Sequence, residues 1–348
     1  MNPETREELV LDAIKERREQ INEAIETELP MAEPEKLYEA SRALLIAGGK
    51  RLRPAMLLLT AEALADIEPL SEPYREFPTL SNERIDIMAA AVSIEVIHSF
   101  TLIHDDIMDD DDMRRGVPAV HRQYDTETAI LAGDTLYSKA FEIMLRTNAK
   151  ADNILESIDL LARTCTHICE GQAMDVSFES QNSVLPDDYI EMIELKTAVL
   201  YAAAASVPAV IKDAESEIID SLYQYGLCVG QAFQIQDDVL DLTVPSEKLG
   251  KQRGSDLIED KQTLITLHAK NNGVNVDELI EADDIEDVDD QDIDEAVARL
   301  REVGSIEYAK NMAQELTEKG KQHLTKVPEN EARNKLHLLA DYLIERGY

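Results

Sequence analysis

The sequence predicts an all-α fold, and three observations carry that expectation. Apolar residues recur at helical spacing almost throughout, as in Leu9, Ile14, Ile21 and Ile25 near the start and Leu336, Leu339 and Leu343 near the end. Strand signals are nearly absent. Tryptophan is missing and aromatics make up only 5%, so Ala, Leu, Ile and Met must fill the core, which suits packed helices. In order, the helices are expected at 3–28, 35–47, 54–67, 82–108, 126–147, 152–178, 187–207, 214–242, 257–271, 292–303, 306–326 and 329–346. Breaks are marked by Ala47-Gly48-Gly49, Glu68-Pro69, Gly116-Val117-Pro118, Leu185-Pro186 and Val244-Pro245. No Pro/Gly/Ser-rich linker divides the 348 residues, so one domain over 1–348 is expected, with surface excursions near 68–80 and 272–291.

Two copies of Asp-Asp-x-x-Asp stand out in apolar helical stretches: Asp105-Asp106-Ile107-Met108-Asp109 and Asp237-Asp238-Val239-Leu240-Asp241. Residues i and i+4 share a helix face, so Asp105 with Asp109, and Asp237 with Asp241, each aim two carboxylates in one direction. Leaving such carboxylates without a cation costs several kcal/mol per ion, and Mg²⁺ binds through one or two carboxylates plus water and phosphate. The motif alone is weak in a chain with 71 acidic residues. A third copy, Asp283-Asp284-Ile285-Glu286-Asp287, sits in an acidic run with little helical periodicity and reads as a solvated loop.

Basic company separates the first two copies from the third. Arg114, Arg115 and Gly116 follow the first, and Lys248, Lys251 and Lys261 follow the second, in a chain with only 34 basic residues. Carboxylates flanked by Arg and Lys are what a metal-bridged polyphosphate requires. Further candidates fall near helix ends: Gly48-Gly49-Lys50-Arg51-Leu52-Arg53-Pro54, with Lys50 and Arg53 at a helix mouth, Gly171-Gln172-Ala173-Met174-Asp175, and Lys196-Thr197. Taken singly, each is more often surface decoration.

The net charge of −37 excludes a general nucleic-acid or anionic-membrane binder. Acid spread over the whole surface fits the salt-rich cytoplasm of a halophile, where a short screening length removes most self-repulsion. Three cysteines give no disulfide framework. Cys165, His167 and Cys169 lack a fourth zinc ligand and are expected to be small core residues. The amino terminus is no signal peptide, and Val199 to Ile211 is too short to span a bilayer, so a soluble cytoplasmic protein is expected.

In their order, these pieces resemble the trans-isoprenyl diphosphate synthases, the family of farnesyl and geranylgeranyl diphosphate synthases. His98-Ser99-Phe100-Thr101-Leu102-Ile103-His104 leading into Asp105 to Asp109, then Arg114-Arg115-Gly116, is similar to the family's first aspartate-rich region. Phe233-Gln234-Ile235-Gln236 leading into Asp237 to Asp241 is similar to the second. The resemblance implies the isoprenoid synthase fold, a helical bundle around a central active-site cavity. It also implies Mg²⁺, with Mn²⁺ as a substitute, held by Asp105, Asp109 and Asp237. The allylic diphosphate (dimethylallyl, geranyl or farnesyl) would be gripped with Arg114, Lys196 and Lys251, with Gln172 and Lys261 nearby. Lys50, Arg53, His98 and Arg115 would bind isopentenyl diphosphate, and Thr197 and Gln234 would turn their dipoles to the cation. Asp106, Asp238 and Asp241 belong to the same catalytic motifs, and a homodimer is implied.

The family also implies that bulk at Phe100 limits elongation, while a second aromatic at Thr101 would shorten the product. Geranylgeranyl diphosphate is therefore expected, with farnesyl or geranylfarnesyl diphosphate as alternatives. A terpene cyclase typically mixes Asn, Ser and Glu in its second metal site and has no need for Lys50 and Arg53. A head-to-head condensing enzyme is disfavoured likewise. A regulatory subunit would be expected to lack one cluster, and a plain acidic cation binder leaves the basic residues unexplained.

Overall fold

The computed structural model describes residues 3–81, 83–178, 181, 183–249, 252–280, 288 and 290–345. The described chain is helical apart from two short antiparallel hairpins. The chain runs α1 (Pro3–Glu28), α2 (Glu35–Ile46), α3 (Leu52–Ala65), hairpin β1–β2 (Phe77–Pro78 and Arg84–Ile85) and α4 (Ile87–Met108). Hairpin β3–β4 (Met113–Arg114 and Val117–Pro118), α5 (Val120–Gln123), α6 (Thr126–Met144) and α7 (Ala151–Phe178) follow. Then come α8 (Pro186–Ile193), a π turn (Glu194–Ala198), α9 (Val199–Ile211), α10 (Ser216–Thr243), α11 (Ser246–Leu249) and α12 (Ser255–Ile258). The last helices are α13 (Leu264–Asn271), α14 (Asp290–Glu302), α15 (Ser305–His323) and α16 (Glu331–Glu345). The described chain forms two compact units, one of residues 1–165, 202–224 and 323–339, the other of 166–201, 225–322 and 340–348.

In the first unit α4 packs against α6, α3 and α1, so it is apolar on nearly every side, as a central helix must be. Asp86 starts it by accepting a hydrogen bond from the Ala89 amide at 2.9 Å, and Asp125 caps α6 through Thr128 N at 2.7 Å. Small residues set a close α4–α6 approach: Ala89 to Ala91 on α4, and Ala129, Ala132, Gly133 and Ala140 on α6, are buried. Ser93 Oγ donates to the Ala140 carbonyl at 2.8 Å. The second unit has its own core, with Tyr189 and Ile193 of α8, Ile235 and Val239 of α10, Ile265 of α13 and Leu300 of α14.

Several boundaries differ from expectation. Residues 82–86 were expected in a helix, but Arg84 and Ile85 pair with Phe77 and Pro78 instead. The excursion near 68–80 is anchored rather than purely superficial. The buried Arg17–Glu62 ion pair (2.6 Å) also receives Leu70 N at 3.0 Å and Tyr74 OH at 2.7 Å, and Phe77 is buried. The expected helix 257–271 is broken. Asp260 takes a left-handed φ of 54°, and Thr263 caps a new start at α13. α8, the π turn and α9 form one 26-residue helical stretch that continues through Pro208, longer than expected. That stretch and α4 are long and apolar enough to cross a membrane, yet 83% and 78% of their most apolar windows are buried inside the protein. The acidic run with Asp283 to Asp287 lies outside the described residues.

Candidate active site

The basic half of the candidate site is built by the turn between α2 and α3. Gly48 and Gly49 adopt φ values of +95° and +145°, open to glycine and strained for other residues. Into the space that a side chain would fill at Gly49 lies the Arg115 guanidinium, whose Cζ would be 2.9 Å from a Cβ there. Arg115 Nη1 donates to the Gly48 carbonyl and, at 3.2 Å, to that of Leu44. The loop after the first aspartate motif is thereby tied to the mouth of α3. Arg51 turns inward on a left-handed φ of 54° to pair with Glu95 at 2.5 Å, while Lys50 is exposed and Arg53 half-buried.

Arg53 Nη1 lies 3.2 Å from His98 Nε2. Burial, and then the charges of Arg53, Arg115, Arg51 and Arg114, hold the imidazole well below its ordinary value. His98 is therefore neutral near pH 7. Its Nε2 accepts from Arg53, which leaves the proton on Nδ1. A neutral acceptor aims one guanidinium without adding to the repulsion among four, an environment suited to a multiply charged anion. The sequence singled out Arg53, His98 and Arg115. It missed Arg51 and its partner Glu95, for Glu95 sits among apolar residues with no motif around it.

On α4 the first aspartate motif divides by face. Asp105 is half-buried and Asp109, one turn on, is exposed. Asp106 points elsewhere. It is buried and accepts from Arg114 Nε at 2.6 Å, and burial pushes its carboxyl up to about 6 against the opposing pull of Arg114. Arg114 also pairs with Asp111 at 2.8 Å, and Arg122 pairs with Asp110 and Asp112 at 2.9 and 2.7 Å. Arg114, expected at the allylic diphosphate, is held in this structure by Asp106 and by Asp111 of the acidic turn. Among the described residues no three His, Cys, Asp or Glu side chains converge as a complete ligand set. Asp105 and Asp109, one turn apart, still supply the hard oxygen donors that Mg²⁺ takes when water and phosphate fill its other positions.

In the second unit the fragments that seemed decorative meet. A Cβ on Gly171 would lie 2.2 Å from the backbone nitrogen of Lys196, so α7 crosses the π turn backbone to backbone, and only glycine fits. The crossing lets Lys196 Nζ donate to Asp175 Oδ2 at 2.6 Å. Gln172 is buried there, with neither amide atom hydrogen-bonded. Thr197 Oγ1 donates to Gln234 Oε1 at 3.0 Å, and Gln234 Nε2 donates to Asp238 Oδ1 at 3.0 Å. The Tyr189 hydroxyl donates to Asp238 Oδ2. Burial, and then the charge of Asp256, raise the Asp238 carboxyl well above its ordinary value. π turns add one residue to a helix and occur often at functional sites, and this one carries Lys196 and Thr197.

The second aspartate motif also divides. Asp237 is half-buried, whereas Asp241 is buried and accepts from Ser255 Oγ at 2.9 Å and Asp256 N at 3.2 Å. The expected pairing of Asp237 and Asp241 toward one ligand is thus replaced by a division of labour, in which Asp241 pins the segment that follows. Lys261 pairs with Glu259 at 3.0 Å and lies 4.0 Å from Asp256; Lys248 is exposed, and Lys251 lies outside the described residues. Cys165 is buried as expected, but Cys169 is exposed, because its position on α7 turns outward.

Phe100 is buried, edge-on to His104 and Tyr137 with ring centroids 5.4 Å away in each case, and Tyr137 is edge-on to Phe141 at 5.2 Å. It therefore lies on the side of α4 that meets α6, five residues before Asp105. Thr101, i−4 from Asp105 and so on its face, is half-buried and donates to the His98 carbonyl at 2.8 Å.

Two aspartate motifs on helices of an all-α scaffold, the first paired with Arg114 and followed by an arginine cluster around His98, suit a protein that handles multiply charged anions such as diphosphates. The polyprenyl synthetase family model matches residues 34–300, and the chain belongs to that family of chain-elongating prenyltransferases. It is 60% identical over 339 residues to the geranylfarnesyl diphosphate synthase of Natronomonas pharaonis, covering 97% of this chain and 98% of that one. It is 46% identical to the geranylgeranyl diphosphate synthase of Methanosarcina mazei, again with 97% and 98% coverage. Among solved structures it resembles the geranylgeranyl pyrophosphate synthetase from Geoglobus acetivorans, at 43% identity and a TM-score of 0.84, covering 96% and 99% of the two chains. A polyprenyl synthase from Caulobacter crescentus, complexed with calcium and isoprenyl diphosphate, matches at 29% identity and a TM-score of 0.81, covering 97% and 98%.

Proposed function

We propose that this chain condenses isopentenyl diphosphate with dimethylallyl, geranyl and farnesyl diphosphates, with geranylgeranyl diphosphate as the main product. Arg53, aimed by neutral His98, and Arg115, braced on the Gly48-Gly49 turn, hold the diphosphate of isopentenyl diphosphate, with Lys50 at the mouth of α3. Asp105, Asp109 and Asp237 would hold Mg²⁺, or Mn²⁺ in its place, and the ion supplies neutralisation of charge on the leaving diphosphate. Arg114, Gln172, Lys196, Lys251 and Lys261 serve the allylic diphosphate. As the allylic carbon–oxygen bond breaks, their donors meet growing negative charge on the departing oxygens, which favours the transition state over the ground state. Thr197 and Gln234, each fixed by the bond between them, present dipoles rather than nucleophiles to the allylic cation. The double bond of isopentenyl diphosphate attacks that cation, and loss of a proton gives the longer allylic diphosphate.

The observation that carries this reading is the basic cluster of Arg53, His98 and Arg115 beside the aspartates, since a single-substrate cyclase has no use for a second diphosphate site. Product length rests on Phe100. The tail runs back along α4 from Asp105, passes the short side chain of Thr101, and ends where the Phe100 ring, backed by Tyr137, closes the space. Geranylfarnesyl diphosphate is the second reading, favoured by the relative of that name at 60% identity. Incubating the purified chain with dimethylallyl and isopentenyl diphosphates and Mg²⁺, then separating the dephosphorylated alcohols by length, decides between them. A twenty-carbon alcohol supports the first and a twenty-five-carbon alcohol the second; no prenyl product overturns both.

The same proposal includes a cytoplasmic homodimer and a salt-adapted surface. Exposed Ile130, Leu131 and Tyr137 on α6 offer an apolar face for a second copy, and the charge of −37 suits concentrated salt. The family model spans parts of both compact units without a break, in keeping with one synthase domain over 1–348.

A further inference from the structure

A chain of hydrogen bonds in the second unit begins in its apolar core and ends at the π turn. Tyr189 of α8 shares that core with Ile193, Ile235 and Val239 and is 2% exposed, so its hydroxyl needs a partner. It donates to Asp238 Oδ2 on α10. Gln234, one turn earlier on the same helix, donates from Nε2 to Asp238 Oδ1, and Thr197 Oγ1 lies 3.0 Å from Gln234 Oε1. With both Asp238 oxygens accepting, the Gln234 nitrogen faces Asp238 and the Gln234 oxygen faces Thr197. An amide oxygen carries no proton, so the Thr197 hydroxyl supplies it. The Thr197 lone pairs are thereby turned away from Gln234. Were the amide reversed, its nitrogen would donate to Thr197, and the hydroxyl proton would point outward in their place. A growing cation is stabilised by the first arrangement and repelled by the second.

The backbone fixes the register of the chain but not its sense. A Cβ on Gly230, one turn before Gln234, would lie 2.6 Å from the Ala198 Cα, so α10 crosses the π turn closely beside Thr197. At the other end of the turn, Gln231 Nε2 donates to Glu194 Oε2 at 3.0 Å. What the backbone leaves free is the flip of the Gln234 amide and the rotation of the Thr197 hydroxyl. Tyr189 and Asp238 remove that freedom.

We propose that Tyr189 is a positioning residue for prenyl transfer: by donating to Asp238 it sets the sense of the chain through Gln234, so that Thr197 presents lone pairs to the allylic cation. The inference rests on the reading that Thr197 faces that cation, and it adds the group that orients the threonine. Tyr189→Phe keeps the ring and removes the donor, which leaves a buried Asp238 oxygen unsatisfied and the amide free to turn over. It lowers kcat by about tenfold and leaves the KM of each substrate within about twofold, because the groups that hold the diphosphates are untouched. Thr197→Val removes the dipole itself and lowers kcat by roughly 10²-fold. In the Thr197→Val background, Tyr189→Phe lowers kcat no further, since no hydroxyl remains to be oriented.

The test is steady-state kinetics with Mg²⁺ and each substrate varied in turn, on the full-length parent, both single variants and the double variant, with melting temperatures measured alongside. Should Tyr189→Phe fail to fold, Tyr189→Met, whose flexible side chain fills the space without a donor, is read in the same way. A loss of kcat from the Tyr189 variant that vanishes in the Thr197→Val background supports the proposal. An equal loss in both backgrounds, the mark of a merely structural role, overturns it, as does a rise in KM alone or an unchanged kcat. If Thr197→Val itself leaves kcat unchanged, the reading of Thr197 at the cation fails, a result distinct from the others, and the proposal falls with it.

Discussion

Gly171→Ala adds a single methyl group where two stretches of backbone cross. On a helix with open space beside it, this change is stabilising by about 1 kcal/mol, because alanine has the better helix propensity. Here the new Cβ would lie 2.2 Å from the nitrogen, 2.7 Å from the Cα of Lys196 and 2.8 Å from the carbonyl carbon of Leu195. All three are backbone atoms, so no side-chain rotation relieves the overlap. Reaching ordinary contact at 3.4 Å requires the π turn to retreat by about 1.2 Å. Overpacking of this kind costs about 1–3 kcal/mol, enough to cancel or reverse the gain in propensity. The larger effect falls on function, because the retreat carries Lys196 away from Asp175 and Thr197 away from Gln234. A displacement near 1 Å of groups that position substrate lowers turnover by roughly 10²-fold. Steady-state kinetics with the allylic substrate varied, alongside thermal melts, measure both quantities. A variant with a higher melting temperature and unchanged kcat would refute the reasoning, since it would mean that the crossing opens at no cost.

Asp105→Ala and Asp237→Ala should each lower turnover by orders of magnitude while the helical circular dichroism persists, whereas Asp283→Ala in the acidic run should be nearly silent. Asp241→Ala should behave differently from Asp237→Ala and lower the melting temperature, because it removes the acceptor for Ser255 and Asp256. Lys212, buried against Phe77 and donating to the Pro78 carbonyl, is held by burial at about 8 instead of 10.5. The unfolded chain therefore binds the extra proton between those values, so stability should rise with pH through that window by roughly 3 kcal/mol, with the full penalty present below it. Denaturant titrations at pH 7 to 10 should show the slope, and Lys212→Met should remove it. Melting temperature should also climb as KCl is added, since a net charge of −37 repels itself over a Debye length of about 30 Å in dilute buffer but about 3 Å at molar salt; a flat response would remove the salt-adapted reading.

The sequence by itself determined the fold class, most helix boundaries and the family, because these depend on local or linear features. Period-3.6 apolar spacing marks α1 and α16, a long apolar run marks α4, and the order of the aspartate and basic motifs along the chain marks the synthase. What it left undecided was the division of labour within each motif. Asp106 and Asp238 look like Asp105 and Asp237 in one dimension, yet one hundred degrees of helix rotation turns them into the protein, toward Arg114 and Tyr189. Asp241 shares the face of Asp237 by spacing, but the Gly254-Ser255-Asp256 segment folds back over it and takes its oxygens. Lys196 and Asp175, separated by 21 positions, become partners only because a glycine lets two backbones cross. Such assignments are made by packing between elements distant in sequence, where solvent exclusion decides which carboxylates are buried against which partner, and only the tertiary structure carries that information.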